Sequence, residues 1–483
     1  MIKVYLNKDE FSYDVYSLIK AFYPKEDISM KEDEPSDMLF KIEYEKNEII
    51  VSCFKNEELI NSCKDKCDYT DKKITKNILK RVLYKCLSNT QKKELPWGTM
   101  TGIRPVRIVS NLLEEKNYSD NEIKKYLKDY YFVSDKKCDL AIEVAKVEKK
   151  VLDSFDYKKG YSLYIGIPFC PSRCLYCSFT AYSIDKMRHF VMPYIEALQK
   201  ELAFIREYMD MEPDTIYVGG GTPTALNEEE LEILLKSINN TFDVTSLREF
   251  CVEAGRPDSI TKEKLRILKE YNTERISINP QSMNQKTLDI IGRAHSVADI
   301  YKTFEDARDA GFKNINMDMI TGLPNEDEED VMHTLECIKE LSPECLTVHS
   351  LALKKKSRLN LNKEDYTNLK IINDGNINTK TYDFAKDMGM NPYYLYRQQN
   401  IAGNYENIGY SLPGMEGIYN ILTMEERQSV LAAGAGSISK RVYSDGTTIK
   451  RCDNVKDIKL FIENIDEMLE RKRELFKTFH EDL

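Results

Sequence analysis

Long apolar runs are missing from this 483-residue sequence. No stretch approaches the ~20 residues that a membrane-spanning helix needs, so no membrane span is expected. The opening residues, MIKVYLNKDEFSYD, lack a basic segment followed by an apolar one, so no secretory leader is expected there. A basic tail is also missing, and the net charge of −10 makes nucleic acid a poor partner. Histidine is scarce, at five residues, and tryptophan occurs once. Internal repeats beyond a strand–helix rhythm, and low-complexity segments, do not stand out. Cysteine is plentiful at twelve, and in a long chain without a leader these read as reduced thiols of a cytoplasmic protein.

The organising stretch is 164–179, YIGIPFCPSRCLYCSF, which spaces Cys170, Cys174 and Cys177 as C-x3-C-x2-C. An apolar, strand-like run at 162–169 leads into it. Three thiolates on one tight loop suit a cubane iron–sulfur cluster. Three cysteines leave one of its irons open, and an open position marks a reactive site over a structural one. Zinc would want a fourth cysteine or histidine nearby, and the nearest histidine, His189, lies well downstream on an expected helix. Thioredoxin-like chemistry accounts for Cys174 and Cys177 but fits Cys170 and the upstream strand less well. Cys63 and Cys67 repeat a C-x3-C spacing in a lysine- and aspartate-rich stretch, and read as surface thiols.

At this length two or three domains are expected. An N-terminal α+β domain is assigned to 1–156, a central domain to 157–357 and a C-terminal mixed helical and β extension to 358–483. Alternation at 38–44 and 48–54 reads as a hairpin, and helical spacing follows from 71 to 156. Between those helices LPWGTMTGIRPVRI carries Trp97; a structured loop is one reading, and an anion grip by Arg104 and Arg107 the other. From Ser162 the chain alternates strand, loop and helix. Strands are expected at 162–169, 215–220, 248–254, 275–279, 314–320 and 345–353. Amphipathic helices are expected at 194–208, 228–238, 262–271, 300–310 and 328–341. Six such units predict an α/β fold with a parallel sheet, a partial (β/α)6 barrel with its site at the strand ends. The segment 455–483 reads as one closing amphipathic helix.

Residues suited to a site fall at those ends. The second strand runs into Gly219-Gly220-Gly221-Thr222-Pro223, where glycine lets backbone approach a ligand. The later strands present Glu253, Gln281, Asp318, His349 and Ala352, with Arg293 following in IGRAHS. Together they read as a polar lining for a nucleoside and an amino acid.

The combination of YIGIPFCPSRCLYCSF, GGGTP, E-x-x-x-P, RIS-x5-Q, GRAHS and MDMITGLP resembles the oxygen-independent coproporphyrinogen III oxidase family of radical S-adenosylmethionine (SAM) enzymes. WGTMTGIRPVRI, PYYLYRQQNIAG, SLPGMEGIYNI and LAAGAGSISK point to its HemZ-type branch. The resemblance implies a 4Fe–4S cluster on Cys170, Cys174 and Cys177. It implies contacts to a cluster-bound SAM from Tyr164, Gly220, Glu253 and Ile438. A second SAM position would involve Tyr176, Gly221, Thr222, Gln281, Arg293, Asp318 and Ala352. It also implies a tetrapyrrole substrate, oxidative decarboxylation of coproporphyrinogen III to protoporphyrinogen IX, and an electron donor such as a flavodoxin or ferredoxin. Lys354, Lys355, Lys356, Arg358 and Arg397 are candidates to hold substrate carboxylates. Family members with a further cysteine two residues past the third differ here, where Phe179 stands. Relatives with that phenylalanine include haem-handling proteins and radical SAM methyltransferases, so another tetrapyrrole chemistry or haem delivery is the alternative.

Overall fold

The computed structural model describes residues 1–31, 36–352, 357–361, 369–398, 405–446 and 448–479. The chain divides into Met1–Glu143 with Arg397–Asn400, and Val144–Tyr396 with Ile401–Leu483.

In the first unit β1 (Ile2–Leu6), β2 (Ile28–Ser29), β3 (Met38–Tyr44), β4 (Glu48–Lys55) and β5 (Glu58–Lys66) form a sheet in the order β2-β1-β3-β4-β5. The expected hairpin is β3–β4, in register from Met38 opposite Lys55 to Tyr44 opposite Ile49. Its inward residues Phe40, Ile42, Ile49 and Val51 pack in one core with Val15 and Leu18 from the helix Ser12–Phe22, and Leu79 and Leu83 from Lys72–Gln91. The outer strand β5 is mostly exposed, so its sequence ELINSCKDK shows little of the apolar alternation that marks a strand. It corrects one expectation. Cys67 is not a surface thiol: the chain turns inward after β5, and Cys67 is buried against the Thr75 hydroxyl, 3.7 Å away. Cys63 is half-buried. Arg397 also belongs here. Its guanidinium donates to the Met100 carbonyl and lies 5.9 Å from the centroid of the Trp97 ring, so its charge is engaged within this unit.

The second unit holds β6 (Tyr161–Ile167), the short β7 (Phe169–Cys170) and β8 (Tyr182–Ser183), then β9 (Thr215–Gly220), β10 (Glu249–Gly255), β11 (Arg275–Ile278), β12 (Asn314–Thr321) and β13 (Cys345–Ser350). Beyond them come β14 (Asn391–Tyr396), β15 (Asn407–Ser411), β16 (Ser429–Ala433), β17 (Ile438–Val442) and β18 (Ile449–Asp453). One sheet runs β14-β15-β13-β12-β11-β10-β9-β6-β16-β17-β18. The six expected strands are parallel neighbours, as a partial (β/α)6 barrel requires. The run SVLAA (Ser429–Ala433), just before the glycines at 434 and 436, adds β16, parallel to β6, which no strand pattern announced. Strands from 391–453 thus extend both ends of the sheet, with β15 antiparallel on β13. Helices begin where sequence supplies caps: Asn227, Ser296 and Asp327 each form a reciprocal box with the residue three places on.

The C-terminal third also closes the bottom of the barrel. Glu249, at the start of β10, accepts the amides of Ile418 and Tyr419 at 2.8 and 3.3 Å and so caps the helix Ile418–Met424. Arg275, starting β11, donates to the Met415 carbonyl at 2.9 Å. The expected closing helix is two, Ile458–Glu463 and Ile465–Lys477, because Asn464 leaves the helical conformation between them. The second carries Lys472, fully buried, whose ammonium binds the buried Glu201 carboxylate and the Ala432 carbonyl. Glu201 also accepts from the Gly434 amide at 2.7 Å and from Asn454 Nδ2 at 2.7 Å.

Breaking that pair from one side strands a buried charge. Lys472→Met is expected to cost about 3–5 kcal/mol in urea unfolding, while adding Glu201→Gln should restore much of the loss. A double variant as unstable as the single one would show that charge compensation is not what the pair contributes.

Candidate active site

Cys170 ends β7, and β7 pairs with β8, so a two-residue ladder closes the cysteine loop. The glycine run holds the loop's entry. The Gly221 amide donates to the Ile167 carbonyl at 2.8 Å and the Thr222 amide to Phe169 at 2.7 Å. A Cβ on Gly221 would lie 2.6 Å from the Phe169 oxygen and 2.7 Å from that of Ile167, so a side chain there would force the backbones apart. Gly220 has φ of +104°, open only to glycine at low cost. The Thr222 hydroxyl reaches the Cys170 sulfur at 3.5 Å.

The loop's far side is held by later units. The Leu175 amide donates to the Ile291 carbonyl at 2.9 Å, and the Ser172 hydroxyl to Gly292 at 3.3 Å. Arg256, buried just past β10, donates through Nη1 to the Ser172 carbonyl and hydroxyl, both at 3.0 Å, and to the Cys174 sulfur at 3.6 Å. Arg293 gives Nη1 to the Asn279 carbonyl and Nη2 to the Tyr176 hydroxyl at 3.3 Å, and its charge is also felt by Cys174. Burial pushes the Cys170 thiol up to about 11 against the opposing Thr222 hydroxyl, and raises Cys177 too. Among the described residues no three His, Cys, Asp or Glu groups gather around a single-ion point. A cubane differs from such an ion because each thiolate takes a separate iron. Three thiols on one loop, with two buried guanidinium groups beside them, fit that donor set and the negative charge it carries.

Beside the loop, the register of the parallel strands brings polar side chains onto one face. Tyr164 pairs with Tyr217, Glu253 with Ser277, Ser277 with Asn316, and Asp318 with Thr347. Tyr217 is stacked between Tyr164, centroids 6.3 Å apart, and Tyr419, 4.5 Å apart. Its hydroxyl donates to Glu253 Oε1 at 2.5 Å. Dense packing pushes the Glu253 carboxyl up to about 7; the Tyr217 bond opposes this and the Asp318 charge adds to it. Burial would raise Asp318 as well, but His349, Asn316 and Thr347 outweigh it and hold that carboxyl below its usual range. His349 stands with Nε2 3.6 Å from Asp318 and Nδ1 3.4 Å from the Tyr396 hydroxyl.

Gln281 has φ of +66°, a conformation costly for a side-chain-bearing residue, and is pinned by its amide on the Asp318 carbonyl at 2.9 Å. The buried Ser277 Oγ, Asn279 Oδ1 and Gln281 Oε1 have no hydrogen-bond partner among the described residues. Unsatisfied buried acceptors at strand ends are what a polar ligand would complete. The predicted residues Tyr164, Tyr176, Gly220, Gly221, Thr222, Glu253, Gln281, Arg293 and Asp318 are thus gathered with the three cysteines around one end of the sheet. Ile438 opens β17, 40% exposed, and Ala352 follows β13; none of the contacts above involves either. Lys354, Lys355 and Lys356 lie outside the described residues, and Arg358 is exposed. Reasoning from sequence missed Arg256, Tyr217, Asn279 and Tyr419. Arg256 was signalled by an arginine placed three residues past Glu253; Tyr419 had no local signal, since another segment positions it.

Residues 164–338 match the Radical SAM superfamily. The chain is 40% identical over 84% of its length to the oxygen-independent coproporphyrinogen-III oxidase-like protein HemZ of Bacillus subtilis, covering 82% of that protein. It is 33% identical over 63% of its length to the heme chaperone HemW of the same species, covering 76% of it. The solved coproporphyrinogen III oxidase HemN of Escherichia coli superposes with a TM-score of 0.53 at 22% identity, over 65% of this chain and 71% of that one, a likeness of fold. A radical SAM barrel with its cysteine loop is therefore the class. The chain belongs to the oxygen-independent coproporphyrinogen III oxidase family of radical SAM proteins, in its HemZ-like branch. A 4Fe–4S cluster and SAM are the cofactors of that class. No helix among the described residues is long and apolar enough to cross a membrane.

Alanine at Cys170, Cys174 or Cys177 is expected to abolish the visible iron–sulfur absorbance of the reconstituted protein, whereas Cys63→Ala and Cys67→Ala should keep it. Retention in any of the first three would remove that residue from the ligand set. The raised Glu253 carboxyl links ligand binding to pH. A ligand hydroxyl bonded to the carboxylate binds best above about pH 7, where Glu253 is ionised. SAM affinity is expected to rise about tenfold from pH 6 to pH 8 and to flatten in Glu253→Gln, measured by anaerobic titration. An unchanged slope in that variant would assign the pH dependence elsewhere.

Proposed function

We propose that this protein converts propionate side chains of coproporphyrinogen III to vinyl groups, giving protoporphyrinogen IX, with Cys170, Cys174 and Cys177 holding the cluster. The observation that carries the proposal is the three-cysteine loop set beside a barrel face with orphaned polar acceptors, in a chain 40% identical to a coproporphyrinogen oxidase-like relative. When bound on Cys170, Cys174 and Cys177, the cluster with SAM would supply hydrogen-atom abstraction at a propionate β-carbon; carbon dioxide would then be released and one electron would pass to an external acceptor, leaving the vinyl group. The chain's own residues bind and orient. Gly220 and Tyr164 border the cluster-bound SAM, and Glu253 accepts from its ribose hydroxyls. Gln281, Arg293 and Asp318 line the adjoining position with Tyr176, Gly221, Thr222 and Ala352, and Ile438 borders the rim. Arg358 is exposed and free to meet a substrate carboxylate. Reducing equivalents would come from a small electron carrier of the flavodoxin or ferredoxin kind.

Haem delivery is a second reading, supported by the similarity to the heme chaperone HemW. An anaerobic assay with reductant, SAM and coproporphyrinogen III separates the two. Decarboxylation predicts one carbon dioxide and one 5′-deoxyadenosine per vinyl group, with S-adenosylhomocysteine at background. A methylated product with stoichiometric S-adenosylhomocysteine would overturn it in favour of methyl transfer. Stoichiometric haem binding without 5′-deoxyadenosine would overturn it in favour of delivery.

A further inference from the structure

We propose that Arg256 is a positioning residue that sets the reduction potential of the cluster, by holding a guanidinium charge against the Cys174 sulfur under the control of Asp258. The proposal rests on the reading of Cys170, Cys174 and Cys177 as the cluster ligands.

The guanidinium is shared between two duties. Nε and Nη2 grip the two Asp258 oxygens at 2.9 and 2.6 Å, a bidentate pair that locks the plane of the group. Nη1, on the other side, spans the Ser172 carbonyl and hydroxyl and the Cys174 sulfur. The side chain is buried, 3% exposed, so its charge is poorly screened. A loop prop alone would need the Ser172 contacts; the approach to sulfur at 3.6 Å adds an electrostatic role. Adding an electron makes the cluster one unit more negative, and a fixed cation beside a ligand sulfur favours that state. Asp258 tempers the cation, and His295, with Nδ1 3.7 Å from Asp258 Oδ1, stands behind it. Arg293 faces the same sulfur, but among the described residues it donates to the neutral Asn279 carbonyl and Tyr176 hydroxyl and not to a carboxylate.

The two members of the Arg256–Asp258 pair should then act with opposite signs. In an anaerobic redox titration of the reconstituted protein followed by electron paramagnetic resonance, Arg256→Met is expected to make reduction at least tenfold less favourable, ~59 mV more negative for one electron. Asp258→Asn, which leaves the guanidinium untempered, should move the potential the other way. Arg256→Lys keeps the sign of the charge and should stay closer to wild type than Arg256→Met. Should Arg256→Met fail to take up a cluster, the opposite shift in Asp258→Asn still carries the test. Shifts of the same sign, or none, in both variants overturn the proposal and leave Arg256 as a support for the loop. Wild-type protein that accepts no cluster would instead overturn the ligand reading beneath it.

Discussion

Two hydrogen bonds, from the Gly221 and Thr222 amides to the Ile167 and Phe169 carbonyls, decide where the cysteine loop stands relative to the barrel. They join the end of β9 to the end of β6 at backbone distance, and only a residue without Cβ permits that approach at position 221. The Thr222 hydroxyl on Cys170, the β7–β8 ladder and the tether of Leu175 to Ile291 act on a loop whose entry is already placed. The stretch around Cys174 is held in turn by later units, through Leu175 on Ile291 and through Arg256 on Ser172 and the Cys174 sulfur.

The barrel face below the loop is built from residues on separate strands whose polar ends meet there. Tyr217 supports Glu253 through its hydroxyl and is itself wedged by Tyr419, which comes from the C-terminal segment. Glu249 and Arg275 anchor that segment at the opposite ends of the strands. The floor of the site thus depends on a part of the chain that carries no cofactor motif. Burial also decides the electrostatics: acidic groups inside the barrel are either held neutral-leaning, as Glu253 is, or balanced, as Asp318 is by His349. The cations sit instead at the cysteine loop, where Arg256 and Arg293 meet Cys174.

Much of this was determined by sequence alone, for local reasons. The C-x3-C-x2-C spacing, the glycine run and the alternation of buried strands with capped helices are each readable within one segment, and Thr215–Gly220 and Glu328–Leu341 fall where their patterns place them. Glu253, Gln281 and Asp318 were legible because they lie in the C-terminal half of a strand or just past it, where a parallel barrel collects its site. What only the tertiary structure decided depends on residues far apart in the chain. Strand β16, the short run SVLAA just before Gly434, becomes a strand because β6 offers it a parallel edge. Cys67 is hidden because an edge strand turns it inward, and Arg397 is engaged with Trp97 from nearly three hundred residues away. Arg256 lay in plain view three residues past Glu253, yet its meaning came from Ser172, Cys174 and Asp258 converging on one guanidinium. Periodicity reports which face of an element is buried, but not which distant side chain completes a hydrogen bond, because that choice is made by packing.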